Sequence, residues 1–202
     1  MAIKIELRAD KTAVIEGYVN AVERRSRVIP GQRGPFVEIV KAGVFAEALS
    51  SGKNVLLKLN HRKVLGDTEH RSLMLHEDNI GLYAKAVVSD ADVIEKARKK
   101  ELRGWSFGFK KLDDSWASGS DGIEERTLKR IELTEVTIVD KAALPVYPAT
   151  SIEMRGEEAS VIEFRSVEDA VDVVDNMPKE PEPAPDNSLY KRKLEILKMK
   201  GV

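Results

Sequence analysis

Apolar residues in the first 156 positions come in short bursts separated by turn signals, and most bursts alternate with polar residues instead of recurring at helical spacing. Residues 13–22 (AVIEGYVNAV) read as a strand, and residues 24–34, with Pro30, Gly31 and Gly34, as a loop. Residues 36–40 are a second short strand. Residues 44–49 form a short helix stopped at Ser50, Ser51 and Gly52. Residues 54–60 are a strand that delivers His61. Residues 73–75 and 81–88 are strands paired around a turn at Glu77, Asp78 and Asn79. Residues 90–102 give the clearest helix, with Ala91, Ile94, Ala97 and Leu102 on its apolar stripe and Asp90 or Asp92 as cap. Strands at 104–111, 127–133 and 135–139 complete the set. Many short strands with two helices predict an α+β, mainly β fold, a closed or nearly closed β-barrel with flanking helices.

The pattern changes near residue 156. Residues 157–186 hold ten acidic side chains against two basic ones and include the prolines at 178, 181, 183 and 185, whereas residues 187–202 hold five basic against one acidic. The predicted organisation is a catalytic-sized domain over 1–156, an acidic, Pro-rich flexible linker over 157–187, and a short basic C-terminal segment over 188–202 with helical periodicity. Composition narrows the function. Lys+Arg 33 against Asp+Glu 34 gives a net charge of -1, which speaks against a nucleic-acid binder. No run of about 20 apolar residues crosses a bilayer, and the first residues lack a signal peptide's apolar stretch, so neither membrane nor export is expected. Cys 0 excludes thiolate chemistry, and with three histidines (His61, His70, His76) no cofactor or metal is expected.

Three places put polar residues where packing alone would not. Strand parity sets His61 with Val55, Leu57 and Leu59, at a strand end where partial desolvation suits a neutral general base. In the segment 103–109 (RGWSFGF), Trp105, Phe107 and Phe109 share one face and Ser106 and Gly108 the other; Gly108 leaves room for a substrate beside the hydroxyl, or marks a bulge. In 132–140 (ELTEVTIVD), Glu135 alternates with Leu133, Thr137 and Val139, with Asp140 on the opposite face. A carboxylate on an apolar strand is costly unless paired, so it suits the orientation of an imidazolium. The spelling GxSxG at 104–108 is not a nucleophile elbow, because it follows a helix and reads as a strand.

In order and spelling these segments resemble the prohead (capsid maturation) serine proteases of tailed bacteriophages, a family related to the herpesvirus assembly proteases. The resemblance rests on 15–19 (IEGYV), 40–45 (VKAGVF), 57–61 (LKLNH), 79–84 (NIGLYA), 102–109 (LRGWSFGF) and 133–139 (LTEVTIV), followed by Ala143, Leu144, Pro145 and Ala149. It implies a herpesvirus-protease-like barrel and a serine endopeptidase with Ser106 as nucleophile, His61 as base and Glu135 as third member, Asp140 being the alternative. It implies the major capsid protein or its scaffolding segment as substrate, self-cleavage as a second activity, and a place inside the immature capsid in the bacterial host cytoplasm. Herpesvirus relatives work as dimers, so a homodimer or higher oligomer is compatible with it. Arg62 after the histidine departs from the family's frequent aspartate. The alternative reading is a non-catalytic scaffold or assembly protein on the same fold.

Overall fold

The computed structural model describes residues 2–31, 34–119, 121–141, 152–153, 162–168, 170–178 and 192. In chain order the elements are β1 (Ala2–Leu7), β2 (Ala13–Ala21), β3 (Phe36–Val40), α1 (Val44–Ser50), β4 (Leu56–Leu59), β5 (Lys63–Asp67), β6 (Leu73–Glu77), β7 (Gly81–Val88), α2 (Ala91–Arg98), β8 (Leu102–Ser118), β9 (Glu124–Asp140), β10 (Ile152–Glu153), β11 (Ile162–Glu168) and β12 (Ala170–Asp175). Alternation decides most of them: in β2, Ile15, Gly17 and Val19 are buried while Glu16, Tyr18 and Asn20 are half-buried.

The strands form two sheets. One has five strands in the order β12-β1-β2-β7-β6; the other has seven, β10-β11-β8-β9-β4-β5 with β3 also on β9. The fold is mainly β with two helices, as expected, but the closed or nearly closed barrel is not formed: among the described residues the two ladders do not join. Local alternation marks a strand but not which neighbour it takes, and β3 leaves β2 to pair in parallel with β9 in the other sheet. One buried cluster links the sheets, with Ile5, Ile15, Leu82 and Ala84 from the first and Trp105, Phe107, Phe109, Val136 and Ile138 from the second. Each such large side chain contributes about 1.5–3 kcal/mol by leaving water. Phe45 of α1 seals the cluster edge-on to Phe107, at 5.4 Å between ring centres.

Both helices are capped as their sequences allow. The Asp90 side chain accepts from the Val93 N–H at the start of α2. That helix ends at Arg98, short of the expected residue 102, and Leu102 opens β8 instead. At α1 the N–H groups of Gly43 and Ala46 donate to the Glu77 carboxylate of β6, at 2.7 and 2.6 Å, so the cap comes from another element.

Two further departures matter for the site. The strands expected at 127–133 and 135–139 are one continuous 17-residue strand, β9, paired with β8 along its whole length. It takes β3 beside its first half and β4 beside its second, both in parallel. The linker expected from 157 gives way at Ile162: β11 pairs antiparallel with β8, and β12 pairs in parallel with β1. The acidic surplus hid a period-2 pattern in which Phe164 is buried and Val171 and Val173 pack partly against the core. Most of the Pro-rich stretch and the basic segment 188–202 lie outside the described residues.

Candidate active site

Ser106 is carried by β8 on the face away from the aromatic core. Trp105, Phe107 and Phe109, each 0% exposed, drive the other face into the cluster, so the hydroxyl must point outward from it. On that face Ser106 stands opposite Thr137 of β9, and Gly108 opposite Glu135. On the far side of β9, Thr137 is paired with Lys58 and Glu135 with Leu56. On the far side of β8, Ser106 faces Ser166 and Gly108 faces Phe164. Two adjacent rows therefore cross four strands: Ser166, Ser106, Thr137, Lys58, and about 7 Å along, Phe164, Gly108, Glu135, Leu56.

Strand parity misplaces two residues here, and the structure gives the reason for each. Glu135 does not share a face with Leu133, because the register slips between Gly108 and Phe109 and makes Thr134 an extra residue. This bulge, fastened by Thr134 Oγ1 donating to the Gly108 carbonyl at 2.8 Å, turns Leu133 to the core and Glu135 to the serine face. His61 does not continue the Leu57 and Leu59 face. Asn60 and His61 both have positive φ (52° and 61°), and the Arg62 N–H donates to the Leu59 carbonyl, so β4 ends in a tight turn. Positive φ is uncommon for a non-glycine residue, and two in succession are held by specific bonds. Asn60 N–H donates to the Ile138 carbonyl and Asn60 Oδ1 accepts from the Asp140 N–H.

The turn lays the imidazole over Glu135. His61 Nδ1 is 2.6 Å from Glu135 Oε1, with both side chains about 95% buried (4% and 5% exposed). Thr137 Oγ1 donates to the same oxygen at 3.1 Å, and Lys58 forms an ion pair with Oε2. Burial pushes the Glu135 carboxyl upward, but hydrogen bonds from His61 and Lys58 and their charges outweigh it, holding the group below the ordinary glutamate range. An ionised Oε1 accepts, which assigns Nδ1 as the protonated ring nitrogen. Asp140 is committed elsewhere, ion-paired at 3.2 Å with Lys96 of α2.

Of the two readings of Gly108, the bulge is present at this position and the room for substrate is not. A Cβ there would meet Glu135 Cγ at 2.7 Å and Phe164 Cε1 at 2.8 Å, so the space it leaves is filled by the protein itself and not held open for substrate. Phe164 in turn packs on His61, with ring centres 4.4 Å apart at 61°, and Ser166 Oγ lies 3.1 Å from Ser106 Oγ. Sequence reasoning missed Lys58, Thr137, Phe164 and Ser166. The visible signals are Lys58, a charge between Leu57 and Leu59, and Thr137, which parity sets beside Glu135.

The structure thus brings His61 and Glu135 into contact and sets Ser106 on the same face one row away. Such an arrangement can move a proton from a hydroxyl and stabilise the cation that results. No curated protein and no solved structure matches the chain. A family model does match, over residues 2–164 of 202, and it describes the caudovirus prohead serine protease.

Proposed function

The chain belongs to the caudovirus prohead serine protease family, and from that premise we propose that it is a capsid-maturation endopeptidase in which Ser106 is the nucleophile, His61 the general base and Glu135 the third member. The contact that carries the residue roles is His61 Nδ1 to Glu135 Oε1 at 2.6 Å on the face that bears Ser106. Asp140, paired with Lys96, is set aside as third member.

The reaction is acyl transfer in two halves. With Nδ1 bound to Glu135, Nε2 takes the Ser106 proton as Oγ attacks the peptide carbonyl carbon. The C–N bond then breaks, and the imidazolium gives its proton to the departing amine. Water enters, loses a proton to Nε2 and attacks the ester; the C–O bond breaks and Oγ recovers the proton. The buried, ionised Glu135 stabilises the imidazolium through both halves. Lys58 keeps that carboxylate ionised and fixed, while Thr137 holds the oxygen that faces the ring. General-base assistance of this kind is worth about 10² to 10⁴ in rate.

The substrate in this reading is the major capsid protein or its scaffolding segment, inside the immature capsid of a phage-infected bacterial cell. Self-cleavage in the acidic, Pro-rich stretch accompanies it. No helix among the described residues is long and apolar enough to cross a membrane. The reading is tested by treating the full chain with a fluorophosphonate probe and mapping the adduct. Modification of Ser106 that disappears in His61→Ala supports it; an unmodified Ser106 in folded protein refutes it.

A further inference from the structure

Strand β11 has two faces with different partners. On one, Glu163 makes a two-pronged ion pair with Arg126 (2.5 and 2.8 Å), and Arg165 makes another with Glu38 (2.7 and 2.7 Å). Arg126 also reaches Asp114 at 2.8 Å, and the Arg165 guanidinium lies over Phe109 at 5.2 Å. Glu38, Arg126 and Arg165 are all at least 94% buried, so this cluster fixes the strand to β3, β8 and β9. On the other face, Phe164 packs on the His61 ring and the Ser166 hydroxyl donates to Ser106 Oγ at 3.1 Å. Residue 166 lies beyond position 164, where the family match ends.

We propose that β11 is part of the catalytic apparatus, with Ser166 and Phe164 acting as positioning residues for Ser106 and His61. The proposal rests on the roles given to those two residues above. A serine on a strand has three staggered side-chain positions, and a donor fixed on the neighbouring strand selects one of them. Donation from Ser166 engages a lone pair of Ser106 Oγ and leaves the Ser106 proton for transfer to His61. Phe164 does the corresponding work for the base: its ring sits in the space that Gly108 leaves and blocks rotation of the imidazole away from Glu135. The ion-pair cluster then has a functional consequence, because it holds both residues in register with the serine strand. The catalytic unit accordingly extends past 156 through residue 168.

The test measures inactivation by a fluorophosphonate probe, separating probe affinity from the rate of Ser106 modification, in full-length wild type, Ser166→Ala, Ser166→Thr and Phe164→Leu. Loss of one orienting hydrogen bond corresponds to about a fivefold to tenfold slower modification step. The expected result is that loss in Ser166→Ala and Phe164→Leu with unchanged probe affinity, an unchanged melting temperature in Ser166→Ala and a modestly lower one in Phe164→Leu, whose ring is buried, and recovery in Ser166→Thr, which restores the hydroxyl. A purely structural strand would lower the melting temperature and affinity without this split. Modification of Ser166→Ala and Phe164→Leu at the wild-type rate, or faster, overturns the proposal. A wild type whose Ser106 stays unmodified removes the reading on which it rests, a result distinct from either.

Discussion

Glu135→Gln separates charge from shape at the site. The glutamine keeps the volume, removes the charge and replaces one acceptor oxygen with a donor nitrogen. In the wild type the Glu135 side chain is 5% exposed and holds His61, Thr137 and Lys58 at once. Removing one partner of a buried ion pair costs about 3–5 kcal/mol. The Lys58 side chain keeps 15% exposure on a flexible stem and reaches water in part, so the expected loss is at the low end, about 3 kcal/mol. The catalytic loss is larger. An amide does not stabilise the imidazolium and can hold the ring in the wrong tautomer, a change that costs about 10⁴ in turnover in the trypsin-like triad. Adding Lys58→Met to Glu135→Gln removes the stranded ammonium, so the double variant should recover most of the stability and none of the activity. Urea unfolding and the rate of fluorophosphonate modification, measured on the same three proteins, give both quantities. Glu135→Gln reacting within tenfold of wild type, or a double variant that regains activity together with stability, would show that Glu135 is only a structural partner of Lys58.

Gly108→Ala should harm activity more than folding. Its methyl group meets Glu135 and Phe164 at 2.7–2.8 Å, overpacking of this kind costs about 1–3 kcal/mol, and the displaced carboxylate no longer aligns His61. A variant with wild-type modification rates would contradict the tight fit. Acid should destabilise the fold through the lowered carboxyls. For Glu163, burial raises the carboxyl but the hydrogen bonds and charges of Arg126 and Arg165 bring it below the usual range, as His61 and Lys58 do for Glu135. A folded value below the unfolded one gives stability that is complete above the unfolded glutamate value of about 4.3 and lost as pH falls through the folded values. The melting temperature should therefore be nearly flat from about pH 7 to 5 and fall below about 4. Glu163→Gln should flatten that fall; a melting temperature that rises on acidification would reverse the sign of the argument.

What the sequence showed clearly was the set of strands whose apolar residues alternate, the two helices, and the residue types of the site. Parity puts Ser106 on the face it occupies, because the three aromatics around it leave a regular strand no other choice. Parity fails between His61 and the Leu57 and Leu59 face, and between Glu135 and Leu133 though not Thr137, for one shared reason: it counts residues, and a local break in the count lies at each place. The break at Asn60 and His61 is a turn with two positive φ values, stabilised by Ile138 and Asp140 from another strand. The break at Thr134 is a bulge set by pairing with Gly108. Neither cause is local in sequence. Local pattern does not reveal β11, because Glu163 and Arg165 lie in a stretch whose acidic surplus and prolines read as linker, whereas Glu163 is half-buried against Arg126 and Arg165 buried against Glu38. Pairing across 127 residues makes those charges tolerable in the interior, and no local window contains both members.

Ser106-dependent proteolysis is tested most directly by the intact mass of full-length wild type and Ser106→Ala, each incubated with the major capsid protein, free and assembled as proheads. The wild type should cut the capsid subunit and its own tail to discrete fragments whose masses give the sites, while Ser106→Ala should leave every chain whole. Identical fragments from both proteins, or intact chains with wild type even within assembled proheads, would contradict it and favour the assembly-protein reading.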